Sequence, residues 1–381
     1  MLYILLFVVL ASSVLSLTFF AAGSIYWACE ARNRGFSVKT IQSRSQTSVI
    51  SINQNYVTFI PEQTDLVDSQ LPIVTLVGNS GHIITNSFIT QRRKKITRGI
   101  KSKVGEVVAG DKVAVDSFVY QDNPSQSLSL EYKEITYKSE LGPMSAWHIP
   151  AESKKWVIGV HGHRSNMRES LRLVPTFNSL GINVLLINYR NDPNQPEDPE
   201  KIHSFGIREW KDLESAVRYI KTYDPNEISL LGHSMGGGII MKYLLESKTS
   251  SEVSKIILES PTLDLNQIIA RQAQQLTFMP HIMLLSAKFF LSKMLKISWD
   301  EFKYLDRSSE LTHPILLIHS EQDSTVPILC SDQLAALRPD IVSYLRLEEG
   351  PHAAAWNKNQ EITEKTIQMF MKGGHIDVQT L

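Results

Sequence analysis

Cysteine is scarce in this chain. Cys29 and Cys330 are the only two, they sit in very different segments, and neither belongs to a CxxC pair. A disulfide framework and a thiolate zinc site are therefore not what organises the fold. Cys330 reads as a small buried hydrophobe. A surplus of either charge is also missing: 39 basic residues face 39 acidic ones, for a formal net charge of zero. A general nucleic-acid binder carries a basic excess, so that class drops out. No internal repeat is visible. What remains is 381 residues, 43% hydrophobic and 20% charged, with enough apolar material for a substantial core.

The most telling absence is at the N-terminus. From Leu2 to Ala28 there is no charged residue in 27 positions. Crossing a bilayer takes roughly 20 apolar residues. Residues 1–29 therefore read as a single-pass transmembrane anchor. A cleaved signal peptide is the rival, but it wants a basic n-region, and the chain opens Met-Leu-Tyr-Ile without one. Arg32, Arg34 and Lys39 follow the run against one Glu30. The positive-inside tendency then puts the body on the cytoplasmic side.

Residues 40–125 show no long helical period. "YVTFI", "PIVTLVG", "HIITNSFI" and "DKVAVDSFVY" alternate with turn residues and predict a small β-rich segment. Inside it, Arg92, Arg93, Lys94, Lys95, Arg98, Lys101 and Lys103 form a basic stretch without an acid. Two readings stand: a solvated hairpin turn, or contact with anionic lipid headgroups near the anchor.

From about 130 the pattern changes. "LEYKEITYK" and "MSAWHIP" predict a starting hairpin. "WVIGV", "INVLLIN", "ISLLG", "KIILES", "PILLIHS" and "VSYLRLEE" then alternate with helical stretches, among them one with Ile207, Trp210, Leu213, Val217 and Ile220 on one face. Continuous apolar strands between amphipathic helices predict an α/β domain, a mostly parallel sheet flanked by helices, over 130–372. Residues 261–314 break the alternation with "LTFMPHIMLLSAKFFLSKMLKISW", interrupted by Lys288, Lys293 and Lys296. This predicts a helical cap insertion, which either simply packs or also roofs a substrate pocket.

"ISLLGHSMGGGIIMKYLL" carries the chemistry. Gly232-His233-Ser234-Met235-Gly236 has the form G-x-S-x-G between a strand and a helix. A serine hydroxyl is a weak nucleophile and must protrude toward a base on a turn that nothing obstructs; glycines on both sides remove the obstruction. The helix that follows aims its N-terminus at developing negative charge. His352, in "EEGPHAAAW" after the last strand, is the candidate base. Asp323, in "HSEQDSTVP" after the strand before it, is the candidate acid, with Asp264 as the alternative. The order Ser234, Asp323, His352 suits this architecture. The strand end at His161-Gly162-His163 offers the backbone N–H of His163 as an oxyanion donor beside that of Met235. The His161 side chain reads as packed, and His148, His203, His281, His313 and His375 as structural or surface residues.

Together "HGHRSN", "GHSMGG", "HSEQDSTVP" and "GPH" resemble the α/β-hydrolase superfamily over roughly 130–372. "NYRNDPNQPEDP" with "FGIREWKDLESAV" resembles membrane-anchored bacterial hydrolases. The superfamily often has glycine where this chain has Ser320. The residues and the resemblance lead to the same expectation: a serine hydrolase cleaving a carboxylic ester or thioester, with a hydrophobic acyl group such as a lipid ester. It needs neither metal nor organic cofactor, and its partners are the ester substrate and the membrane. The alternative is a serine peptidase of the aminopeptidase or prolyl-oligopeptidase type, with Glu259 and Asp264 as candidates to hold a substrate amine. A binding module built on the same fold ranks last, because every catalytic part is present.

Overall fold

The computed structural model describes residues 1–38, 47–61, 71–274 and 280–376. Its first element, α1 (Leu2–Ala31), runs into one π-helical turn, Arg32–Phe36. The stretch Tyr3–Phe36 is long and apolar enough to cross a membrane, with mean hydropathy 2.5, and its most apolar window is not buried against the protein. A membrane anchor and a signal sequence both answer to that description.

Six strands follow: β1 (Thr47–Ile52), β2 (Tyr56–Ile60), β3 (Thr75–Val77), β4 (Gly81–Arg92), β5 (Lys95–Gly105) and β6 (Lys112–Asp116). They close into an antiparallel barrel in the order β1-β2-β5-β4-β3-β6, with β6 pairing back on β1. Alternation explains the closure: Val49, Val57, Phe59, Leu76, Ile83, Ile96 and Val113 all point to one small core. The basic stretch is the β4–β5 hairpin, turned at Arg93, where φ is 55°. Arg92 to Lys95 are exposed there. Arg98 points inward and donates to the carbonyls of Leu71 and Pro72, and burial pulls its pKa down to about 10.

The body contains α2 (Pro124–Leu128), β7 (Lys133–Lys138), β8 (Pro143–Ile149), β9 (Lys155–Val160), α3 (Val174–Ser179), β10 (Asn183–Ile187), α4 (Trp210–Lys221), β11 (Glu227–His233) and α5 (Met235–Glu246). After them come β12 (Lys255–Glu259), α6 (Leu265–Gln274), α7 (His281–Leu295), β13 (Ile315–Ser320), α8 (Leu329–Leu337), β14 (Val342–Leu347), α9 (Ala355–Lys358) and α10 (Gln360–Gly373). The eight strands form one sheet in the order β14-β13-β12-β11-β9-β10-β8-β7. Strands β9 to β14 run parallel, while β8 and β7 add an antiparallel hairpin at one edge. Neighbouring positions on a strand feed opposite cores: Ile158 and Leu230 pack on one face, Val157 and Leu231 on the other.

Helix α4 starts at Trp210, later than the periodicity from Ile207 suggests. Phe205 and Gly206 have φ of 52° and 104°, which no helix accepts. Glu209 holds that turn by accepting from the Ser204 and Gly206 amides at 2.6 and 2.9 Å.

Two latches join the N-terminal segments to the body. Asn357 donates to the carbonyls of Ile73 and Ser117, at 2.8 and 2.7 Å, seating the barrel beside α9. The end of α1 is held too: Ser37 forms a β-bridge with Ile202, and the His203 amide donates to the Phe36 carbonyl at 2.7 Å.

Candidate active site

Ser234 stands between β11 and α5 with φ 52° and ψ −115°, a conformation that costs an ordinary side chain of order 1–3 kcal/mol. Neighbours keep it there. Its amide donates to the Glu259 carbonyl at 2.9 Å, and its carbonyl accepts from Thr262 and Gly237, both at 3.0 Å. Glycine is required around it. A Cβ at Gly232 would lie 2.7 Å from the Gly237 nitrogen, and one at Gly236 would strike the Val160 carbonyl. The strained turn and its bare surroundings lift the hydroxyl off the carboxyl edge of the sheet, beside the point where strand order reverses between β9 and β11.

The structure brings together three residues from three loops. His352 Nε2 lies 2.8 Å from Ser234 Oγ, and His352 Nδ1 lies 2.7 Å from Asp323 Oδ2. Asp323 is fully buried. Burial works to raise its pKa, but hydrogen bonds from His319, His352 and the Val326 amide outweigh it and hold the carboxyl well below the usual carboxylate range. Asp264 stays apart, accepting from Asn266 in a local turn. Ser320, where a glycine is common, accepts from the Gln322 amide at 3.3 Å.

Behind the serine lies a buried polar floor. Glu259, at the end of β12, accepts from Arg172 at 3.0 Å, from His233 at 2.7 Å and from the Ala355 amide at 2.9 Å. Burial again works to raise its pKa, and Arg172 and His233 overcome that and drive it far down. Arg172 also donates to the Ala353 carbonyl, one residue past His352. The same carboxylate therefore braces the strand that holds the serine and the loop that holds the histidine. With all its bonds committed inside the protein, Glu259 is not placed to clamp a substrate amine.

In front of the serine the wall is of another kind. Gly162 is tight against it, since a Cβ there would lie 3.2 Å from Ser234 Cβ. The Gly162 amide donates to Glu169 at 2.7 Å, which fixes the turn that presents the His163 backbone. Met235 is the first residue of α5, where backbone amides have no partner inside the helix. His161 is buried, stacked 4.3 Å from Tyr189 and 2.8 Å from Asp192. The His163 ring packs 4.9 Å from Phe205, and Phe205 packs 5.2 Å from Phe36. Burial, with help from His203 and Arg164, pushes the His163 pKa down to about 3. Phe36 belongs to an apolar cluster with Ile202, Leu265, Leu291, Leu295 and Val326. Among the described residues no group of three or more metal-ligating side chains gathers.

A hydrolase family model, described as serine aminopeptidase, S33, matches residues 151–301. The Pyrococcus furiosus esterase Pf2001 superimposes with a TM-score of 0.53 at 22% identity, over 67% of this chain and 96% of its own. The fold is that of the α/β hydrolases. A Pyrococcus horikoshii acylaminoacyl peptidase shares it with a TM-score of 0.53 at 15% identity, over 89% of this chain and 58% of its own. Among sequences, an uncharacterized Bacillus subtilis protein, YqkD, is 26% identical over 232 residues, 60% of this chain and 75% of its own length. In an α/β hydrolase the elbow, the acid loop and the histidine loop occupy the carboxyl edge of the sheet, where Ser234, Asp323 and His352 lie.

Several residues of this candidate site carry no motif. Arg172, Glu259 and His319 each share a mostly apolar run with one serine, "SLRLV", "IILES" and "ILLIHS". A charge placed where a strand or helix should be wholly apolar is the signal that finds them.

Proposed function

We propose that the chain is a membrane-anchored serine hydrolase that cleaves a carboxylic ester or thioester with a hydrophobic acyl group. One observation carries the reading: the unbroken line Ser234–His352–Asp323, with contacts of 2.8 and 2.7 Å. Ser234 attacks the acyl carbonyl. His352 takes its proton and returns it to the leaving alcohol or thiol. Asp323, held ionised by its surroundings, orients the imidazole and stabilises its charged form. The amides of His163 and Met235 bind the oxyanion, and water releases the acyl-enzyme. α1 serves as the anchor, with the body on the cytoplasmic side, since basic residues follow the span. The apolar cluster of Phe36, Leu265, Leu291 and Leu295 is read as a roof over the acyl site, and it favours a hydrophobic chain.

A serine peptidase is the second reading, brought by the description of the matching family model and by the acylaminoacyl peptidase neighbour. The commitment of Glu259 to Arg172 and His233 weighs against an amine clamp there.

The test is hydrolysis of p-nitrophenyl esters from two to sixteen acyl carbons, beside the matching anilides. Wild type should turn over esters with a long-chain preference. Asp323→Asn should lose about 10⁴-fold in kcat and Ser234→Ala about 10⁶-fold. Ester turnover that survives in Ser234→Ala removes the serine from the mechanism, and a preference for anilides moves the peptidase reading to first place.

A further inference from the structure

Helix α7 packs along α1 in the same direction. A Cβ at Gly23 would come within 2.8 Å of Met283 Cε, and further along Ala28 shares an apolar cluster with Leu291 and Leu295. Small residues on α1 permit the close approach. One face of α7 turns inward: Met283, Ala287, Leu291 and Leu295, spaced by four. The outer face presents Ile282, Leu285 and Phe289 at 65%, 54% and 57% exposure. Their spacing of three and four makes one stripe. It adjoins the bare apolar surface of α1, where Ile25 and Tyr26 are exposed. The polar exceptions on the outer side of that half are His281, at the tip, and Ser286, whose hydroxyl is satisfied by the Ile282 carbonyl at 2.9 Å.

Charge begins at the same height on both helices. On α1 the first charged residues are Glu30, Arg32 and Arg34. On the outer stripe of α7 the first charged residue is Lys293, whose ammonium sits 5.7 Å over the Phe289 ring, and Lys296 closes the helix. Glu200 marks the level, since it binds Lys296 at 2.8 Å and lies in the field of Arg32. Lys288, the earlier charge on α7, turns inward to Asn266 at 2.7 Å and to the Trp299 ring at 4.9 Å. From Ile282 to Lys293 a helix rises about 16 Å, near half of the roughly 30 Å hydrocarbon thickness.

We propose that the outer face of α7 lies in the lipid leaflet beside α1, immersed from Ile282 to Phe289 and stopped by a charged belt of Arg32, Arg34, Lys293 and Lys296. This deepens the proposed function and rests on its reading of α1 as an anchor. The occupant is bilayer hydrocarbon, because the stripe continues the apolar surface of a helix suited to lipid and ends in lysine at headgroup depth. The inner face of α7 joins Phe36 and Val326 in the roof, and the Val326 amide binds Asp323 at 2.8 Å. One wall thus runs from lipid to the catalytic residues, and an acyl chain enters along it without crossing water.

The test uses the full chain in phosphatidylcholine vesicles, with Cys29→Ser and a nitroxide at one of three positions: Leu285→Cys, Val14→Cys in α1, or Leu337→Cys on the body. Cys330 is buried and stays unlabelled. Collision rates with oxygen and with an aqueous nickel chelate report the surroundings. The expected result is nickel access at positions 14 and 285 at least fivefold below that at 337, with oxygen access raised. If 285 matches 337 while 14 is protected, the anchor stands and the immersed roof is wrong. If 14 is also open to nickel, the anchor reading fails and takes this inference with it. Phe289→Cys gives a second reporter on the same stripe, should the label at 285 prevent reconstitution.

Discussion

The floor and the roof of the site are built on opposite principles. Behind Ser234, Glu259 alone accepts from Arg172, His233 and the Ala355 amide. In front, Phe36, Leu265, Leu291 and Leu295 meet through apolar contact and come from three separate elements, one of them the end of the N-terminal helix. Hydrogen bonds between buried charges are directional and costly to break, so the floor holds atoms in place. Apolar contact is non-directional and tolerates substitution at similar volume, so the roof can change shape while remaining closed. The difference teaches where each property resides: the floor fixes Ser234 and His352 relative to each other, and on the proposed function the roof selects what reaches them.

Arg172→Met carries the largest expected effect on stability. It leaves the Glu259 carboxylate buried without its cation, which costs about 3–5 kcal/mol in urea unfolding. In whatever folds, kcat/KM should fall by one common factor for every acyl length. Phe36→Ala comes next. Removing a buried ring destabilises by about 3 kcal/mol, but here the ratio of long-chain to short-chain turnover should change at least threefold. If Arg172→Met alters that ratio and Phe36→Ala does not, the division between floor and roof is wrong.

The smallest effect lies at the seam. His163 is held to about 3 when folded, against an unperturbed 6.5. Its Nε2 has no hydrogen-bond partner among the described residues. As pH falls below about 6.5 the unfolded chain takes up a proton here and the folded chain does not. This contribution to stability is therefore full above about 6.5 and declines toward pH 3. His163→Phe removes the titration and keeps the contact with Phe205. The stability lost between pH 7 and 5 should shrink by about 1–2 kcal/mol. Equal losses in parent and variant would show that the ring is protonated freely in the folded state.

Local signals were the readable ones. Strand, glycine turn and helix around Ser234 are adjacent in sequence, and the inner parallel strands β9 to β13 are mostly apolar runs, so both could be read directly. The floor was not readable, because its bonds join residues far apart: Arg172 and Glu259 are 87 positions distant. A lone charge in an apolar run announces that a partner exists without saying which. Barrel closure was hidden for the same reason, since alternation marks strands but says nothing of β6 returning to β1. The docking of Phe36 has no sequence signal, because a single aromatic after an apolar run has no period to reveal its face.

Closure of the barrel has one more consequence. Because β1 and β6 hydrogen-bond to each other, Thr47 at the start of the barrel pairs with Val113, three residues from its end at Asp116. An insert whose two ends meet is an exchangeable cassette: a longer, shorter or different module can occupy the same position without displacing what flanks it. Asn357, gripping Ile73 and Ser117, is the socket. The module between the N-terminal helix and the α/β body can therefore be replaced at little cost to either.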